Sequence, residues 1–314
     1  MKFFLAPMQG LTGYTVRNAF HHHFDYIDKY YTPFIPAAKR MNSKIKRDID
    51  PVNNDGITLI PQAMSIVADE VIDLHRQLVP YGYDEINVNL GCPSGTVVSK
   101  KRGSGILAYP DMLDSFLDEL YTKADFPVSI KTRVGFNDDE LWPRLIEIYS
   151  KYPISELTVH PRVQKDFYKN TPRMDDFALA MQKINPDKTT LCYNGDITDT
   201  NSFNALTDCF PDIDEIMIGR GLFANPALIA ELKGISMDKA ELRERLRNWH
   251  DEILSGYLSI LSLHTFPLCD LRHLGIVQSC ISMYSGVRQI AVHAVDLGPV
   301  SYTHLRAHET LRHL

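Results

Sequence analysis

Apolar residues along this chain fall into eight short runs separated by longer amphipathic stretches. The runs cover residues 3–8, 26–32, 57–64, 85–89, 128–133, 156–160, 190–194 and 215–218. Most are near-continuous in apolar character, which predicts parallel strands buried on both faces rather than half-exposed antiparallel ones. Helical spacing appears between them. Pro110 precedes Met112, Leu113, Phe116, Leu117 and Leu120, an i, i+3/i+4 stripe with proline at the first helical position. Leu141, Leu145, Ile146 and Tyr149 repeat the pattern, as do Phe177, Ala180, Met181 and Ile184. Strands alternating with helices in this number predict an α/β fold, a (β/α)8 TIM barrel. A doubly wound sheet is the weaker alternative, because no G-x-G-x-x-G follows the first run.

A further stripe of Leu242, Leu246, Trp249 and Ile253 lies within residues 238–254 and predicts the start of a small C-terminal helical domain. The expected division is therefore a barrel over 1–234 and a helical domain over 235–314. From about residue 262 the pattern dissolves, and residues 263–299 hold only Arg272 and Arg288 as Lys or Arg. Residues 300–310 resemble a translated sequencing adapter. We read this tail as the product of a frame error near Ser262, which an intact genomic reading frame through position 314 would rule out.

In a barrel of this kind, sites lie at the C-terminal ends of the strands. Those ends here read Pro7-Met8-Gln9, Gln62, Asn87 to Cys92, Lys131 to Arg133, His160 to Arg162, Asn194-Gly195-Asp196 and Gly219-Arg220-Gly221. Each polar group alone has a structural explanation as a cap, a turn former or a satisfied core group. Together they are hard to explain by structure alone.

Composition narrows the chemistry. At 314 residues with 44% hydrophobic and 23% charged residues, the chain is an ordinary globular protein. Its five cysteines form no C-x-x-C pair, so neither a disulfide framework nor a zinc site is expected, and a cytoplasmic location is the default. The first apolar run ends at Met8, short of a secretory signal, and no run reaches the length of a membrane span. A net charge of −6 gives no global basic field, yet Lys39, Arg40, Lys44, Lys46 and Arg47 crowd one segment, and Lys100, Lys101 and Arg102 another.

The turn Asn89-Leu90-Gly91-Cys92-Pro93 presents a single thiol at a strand end. A nucleophilic role needs a lowered pKa and a paired base, for which the sequence has no signature. A general acid needs only a protonated thiol, which an unperturbed pKa near ~8.5 supplies at neutral pH. The commonest fate of a free cysteine, a small buried hydrophobe, competes with both. The glycine turns at Gly195 and at Gly219–Gly221 suit a phosphate, with Arg220 as a bidentate partner. Lys131 could stabilise an electron-rich ring, with Gln62 and the backbone at Pro7 and Met8 reading its amide edge. His160, flanked by Leu157, Thr158 and Val159, is equally a satisfied core residue, and Met8 equally a core filler.

These residues carry a resemblance. Leu5-Ala6-Pro7-Met8, Asn89-Leu90-Gly91-Cys92-Pro93, Gly103-Ser104-Gly105, Ile130-Lys131-Thr132-Arg133, Val159-His160-Pro161-Arg162, Asn194-Gly195-Asp196-Ile197 and Ile218-Gly219-Arg220-Gly221 follow in the order found in one family. Over roughly residues 1–232 the chain resembles the tRNA-dihydrouridine synthases, flavin enzymes that reduce a uridine in tRNA. The resemblance implies FMN at the barrel mouth and NAD(P)H, expected as NADPH, as electron source. It implies that Pro7, Met8, Gln9, Gln62, Lys131, His160, Asn194, Gly195, Asp196, Gly219 and Arg220 hold FMN. Cys92 would give the proton to C5 of uracil while hydride goes to C6. Asn89, Lys100, Lys101, Arg102, Arg133 and Arg162 would meet the tRNA, a polyanion whose target base must be flipped out. No metal is expected, and the protein is read as a monomer. One departure is Pro161, where many relatives carry Gly or Ala. Two other readings stay open: an FMN barrel oxidoreductase acting on a small pyrimidine, and an RNA-binding homologue that has lost catalysis.

Overall fold

The computed structural model describes residues 1–37 and 40–262; Lys39 of the basic segment and the tail from residue 263 onward, read above as the product of a frame error, lie outside them. Ten strand segments pair exclusively in parallel: β1 (Lys2–Leu5), β2 (Lys29–Tyr31), β3 (Ile35–Pro36), β4 (Leu59–Ile60), β5 (Gln62–Met64), β6 (Ile86–Leu90), β7 (Val128–Gly135), β8 (Glu156–Val163), β9 (Thr190–Tyr193) and β10 (Glu215–Ile218). The helices are α1 (Tyr14–His23), α2 (Ser43–Ile49), α3 (Ala68–Leu78), α4 (Gly95–Val98), α5 (Pro110–Lys123), α6 (Trp142–Tyr149), α7 (Met174–Lys183), α8 (Thr200–Cys209), α9 (Arg220–Ala224), α10 (Leu228–Leu232) and α11 (Lys239–Ser262).

β4 and β5 are halves of one strand, interrupted by Pro61, which has no N–H for the ladder. β4 pairs with β2 and β5 with β6, while the remaining order runs β6-β7-β8-β9-β10-β1-β2. The sheet therefore closes on itself as a barrel, and the Thr32 hydroxyl bridges the break by accepting the Gln62 N–H at 2.9 Å. Each predicted run holds a strand, with the run at 57–64 split at its proline. The two-residue β3 was not anticipated.

Alternation along the strands divides the apolar residues into two clusters. A small one, Phe4, Ala6, Tyr31, Ile60, Cys192 and Met217, fills the barrel interior. The large one packs the outward strand residues, such as Phe3, Leu5, Val88, Ile130 and Leu157, under the helices. Leu113, Phe116, Leu117 and Leu120 of α5 are buried as predicted, whereas Met112 faces outward. Leu141 stands exposed just before α6. On α11, Leu246, Trp249 and Ile253 are buried against α1, where the Trp249 and Phe20 rings meet edge-on at 5.2 Å.

Candidate active site

The barrel interior is unusually polar toward the mouth, and the register explains which groups meet there. Asn89 on β6 lies opposite Lys131 on β7, and Arg133 opposite His160 on β8. Asn194, just past β9, joins them by donating its N–H to the carbonyl of Val159.

Cys92 is half-buried in a turn held from several directions. Its N–H and that of Gly91 donate to Asn89 Oδ1 at 2.8 and 3.1 Å. Its carbonyl accepts from both the N–H and the hydroxyl of Ser104. Gln164 Nε2 donates to the Pro93 carbonyl, and Arg133 Nε to that of Gly91. Gly103, at φ +55°, closes over the turn so tightly that a Cβ there would lie 2.7 Å from the Cys92 carbonyl oxygen. The stretch from Gly91 to Gly105 thus folds as α4 and a 3₁₀ segment over Gly103–Ala108 that back the thiol.

Lys131 is half-buried and donates to Asn194 Oδ1 at 2.5 Å. Burial, then the neighbouring Arg133, pushes its pKa down to about 7. Arg133 is buried too, and burial pulls its own pKa down to about 10 while Cys92 and Tyr168 pull it back up. Its guanidinium holds the carbonyls of Gly91, Val163 and Phe167, committing three of its five N–H groups to shaping the mouth. His160 is held neutral by burial first, and then by Arg133, Lys131 and Arg162. Arg162 can only donate, so His160 Nε2 accepts from it at 3.2 Å and the ring proton sits on Nδ1.

Two expected substrate contacts need correction. Arg162 is 1% exposed, gives its Nε to the Asn170 carbonyl and both terminal nitrogens to Asp196. A guanidinium so enclosed holds the mouth together and does not reach an RNA phosphate. Arg102 is paired with Glu70 at 3.1 Å. Lys100 and Lys101 are exposed, Lys101 lying over the Tyr109 ring at 4.3 Å. Asp196, expected beside a cofactor, is shared by Arg162 and Arg220, the latter at 2.7 Å. Pro7 and Met8 are half-buried at the end of β1, with the Met8 N–H on Thr12 Oγ1, and Gln9 is exposed. At Gly195 any Cβ would overlap the Tyr193 hydroxyl, and Gly219 leads into α9.

One group escaped the sequence reading. Tyr168, 42% exposed, lies beneath the guanidinium of Arg220 at 4.8 Å and of Arg133 at 5.6 Å, and stacks on His160. It follows Phe167, a non-glycine residue at φ +50°. Backbone in that region is strained and is retained where the surroundings over-determine it. An aromatic residue inside the polar stretch Lys165 to Asn170 was its only trace in the sequence.

A closed parallel barrel with these groups gathered at its strand ends defines a (β/α)8 enzyme whose chemistry takes place at the mouth. The chain belongs to the dihydrouridine synthase family, whose model matches residues 4–296. It is 27% identical over 275 residues to the tRNA-dihydrouridine synthase B of Pasteurella multocida, covering 84% of this chain and 78% of that one. A probable tRNA-dihydrouridine synthase of Staphylococcus aureus is 34% identical over 154 residues, 48% of this chain and 46% of that relative. The tRNA-dihydrouridine synthase B of Shigella flexneri is 30% identical over 192 residues, 61% of this chain and 58% of that protein. The chain thus spans only about half the length of these last two relatives. Among solved structures, morphinone reductase superposes with a TM-score of 0.52 at 10% identity, over 77% of this chain and 88% of that one, a likeness of fold. No described helix is long and apolar enough to cross a membrane.

Proposed function

We propose that this protein reduces a uridine of tRNA to 5,6-dihydrouridine, using FMN at the barrel mouth and NAD(P)H as reductant. The observation that carries the reading is the half-buried Cys92 turn beside Lys131, whose hydrogen-bond partner is a neutral amide. Arg162 and Arg220 share the carboxylate of Asp196, while Arg133 is held by backbone carbonyls. This gathering of cations at the mouth fits an anionic, electron-rich ligand, and a phosphorylated flavin has that chemistry.

Gln62 and Asn194 would hold the ring's polar edge, Lys131 its electron-rich side, and Arg220 with the backbone at Gly195 and Gly219 the phosphate. Bound flavin supplies the hydride that adds to C6 of the uracil. Cys92 gives its thiol proton to C5, and the thiolate left behind lies within the field of Lys131 and Arg133. Asn89, which holds the Cys92 turn through two backbone N–H groups, would orient the thiol toward the bound substrate. His160, neutral with its proton on Nδ1, serves as a donor and not as a base. The exposed cations Arg40, Lys44 and Lys46 and the half-buried Arg47 around α2, with Lys100 and Lys101, suit the tRNA backbone in a cytoplasmic setting.

Two readouts test this. Purified protein should be yellow, and tRNA from cells lacking the gene should miss one dihydrouridine by nucleoside mass spectrometry. Cys92→Ala should keep the flavin bands and lose product formation. Undiminished product from that variant removes Cys92 from the proton-donor role.

A further inference from the structure

A single chain of side-chain hydrogen bonds descends from the Cys92 turn into the barrel. The N–H groups of Gly91 and Cys92 donate to Asn89 Oδ1. Asn89 Nδ2 then donates to Gln62 Oε1 at 2.7 Å, Gln62 Nε2 to Asn87 Oδ1 at 2.8 Å, and Asn87 Nδ2 to Ser129 Oγ at 3.0 Å. Ser129 lies beside Glu85, whose carboxyl is pushed up by burial and drawn back by the Ser129 hydroxyl. Asn87, Gln62, Asn89 and Ser129 are all buried, so water cannot substitute for a lost partner.

The sense of this chain is forced from its upper end. Backbone N–H groups can only donate, so Asn89 must turn its oxygen toward them and its amino group toward Gln62. Gln62 must then accept with its oxygen and donate onward, and Asn87 likewise. At the lower end the Ser129 hydroxyl oxygen accepts from Asn87. An amide without such fixed neighbours can rotate by half a turn and exchange donor for acceptor. At Gln62 that rotation would reverse what the protein presents at the mouth.

We infer that Asn87 and Ser129, which lie deeper in the barrel than Cys92, are positioning residues that hold Gln62 and Asn89 in one orientation beneath the reacting groups. The inference rests on the reading of Cys92 as proton donor. In a low-dielectric interior, aligned hydrogen bonds also polarise one another, so an acceptor at the bottom strengthens the grip at the top.

The order of two substitutions separates positioning from packing. Asn87→Asp preserves the sense in either ionisation state. As an anion it accepts from both Gln62 and a rotated Ser129 hydroxyl; protonated, it accepts from Gln62 and donates to Ser129. Asn87→Leu keeps the branched outline and number of heavy atoms, though it is bulkier, and suits an apolar interior, yet it ends the chain. The single-turnover rate of dihydrouridine formation should fall about tenfold or more in Asn87→Leu and stay within about threefold of the original in Asn87→Asp, the scale of loss known for residues that orient reacting groups from behind. Flavin content should be retained in both. Iodoacetamide labelling of Cys92, followed by peptide mass spectrometry without tRNA or NADPH, should quicken in Asn87→Leu as the turn loosens. If Asn87→Leu fails to fold, Ser129→Ala, which removes one atom, should show the same losses and Ser129→Thr should restore them. Leu tolerated better than Asp, or labelling and turnover unchanged throughout, overturns the inference. Because labelling needs no substrate, protein that never forms dihydrouridine would sink the functional reading and leave the labelling comparison standing.

Discussion

Arg162 on β8 reaches across the mouth to Asp196 beyond β9, and Arg220 approaches the same carboxylate at 2.7 Å. One acidic residue thereby neutralises a fully enclosed guanidinium and fixes the direction of a half-exposed one. Arg162 also feeds a hydrogen bond to His160, so the pair sets the tautomer of a ring within the site.

Removing that carboxylate should therefore cost more than a surface ion pair. In Asp196→Asn the charge of Arg162 is left buried against neutral partners. Urea unfolding should show a loss of about 2–4 kcal/mol, toward the lower part of the range for broken buried pairs because Asp196 is itself partly exposed. A change below about 0.5 kcal/mol would mean that solvent already screens the pair.

Gly103 offers a second, more local test. Its φ of +55° and the 2.7 Å approach of a hypothetical Cβ to the Cys92 carbonyl mean that Gly103→Ala must move the Cys92 turn. A displacement of about 1 Å at a reacting group can lower turnover ~100-fold. Gly234→Ala is the control, since Gly234 has a similar φ of +72° but nothing within 4 Å. The control should lose about 1 kcal/mol of stability and keep its turnover. Equal turnover in the two variants would detach Gly103 from Cys92.

Lys131 makes a prediction in pH. Its folded-state pKa of about 7 lies below the ordinary lysine value of 10.5, so between those values the unfolded chain binds more protons than the folded one. Stability carried by this group must then rise with pH across that window, and it is at its lowest below pH 7. Apoprotein should gain about 1 kcal/mol per pH unit relative to Lys131→Met between roughly pH 7.5 and 9.5, measured by denaturant unfolding. Saturating FMN should flatten the difference, because an anionic neighbour restores the charged form. Parallel curves for the two apoproteins would mean that Lys131 is better solvated than its burial implies.

How much of this could be read from residues alone follows from what each level encodes. The strand runs were legible because both faces of a parallel barrel strand are enclosed, so apolar character is nearly continuous. The same continuity hid which residues point inward, and the amide chain through Asn87, Gln62 and Ser129 was invisible although every member was in view. Cys92, Lys131, Asn194 and Arg220 stood out because polar groups at strand ends need a reason. Arg162 and Arg102 misled for an opposite cause: a guanidinium in a sequence looks like a cation offered to a partner, and only tertiary contacts reveal that a carboxylate already claims it. Tyr168 depends on the strained backbone at Phe167, which no local pattern announces.

The attachment of α11 gives the last prediction. Trp249 is 1% exposed and meets Phe20 of α1 edge-on at 5.2 Å, with Leu246 and Ile253 buried on the same stripe. At the far end of this seam Glu252 receives His22 and His23 at 2.9 and 2.8 Å. The two contacts differ in kind: one buries a large ring, the other joins partly exposed polar groups. Trp249→Ala should therefore cost about 3–5 kcal/mol, the range for deleting a buried aromatic. Glu252→Gln should cost less than about 1 kcal/mol, since solvent competes for both imidazoles. If α11 is held to the barrel chiefly by its apolar stripe, limited trypsin digestion of Trp249→Ala should cut first at Arg243, Arg245 or Arg247. Glu252→Gln should resist as the original protein does. The reverse order of susceptibility would make the histidine–carboxylate contacts the principal fastening of the helix.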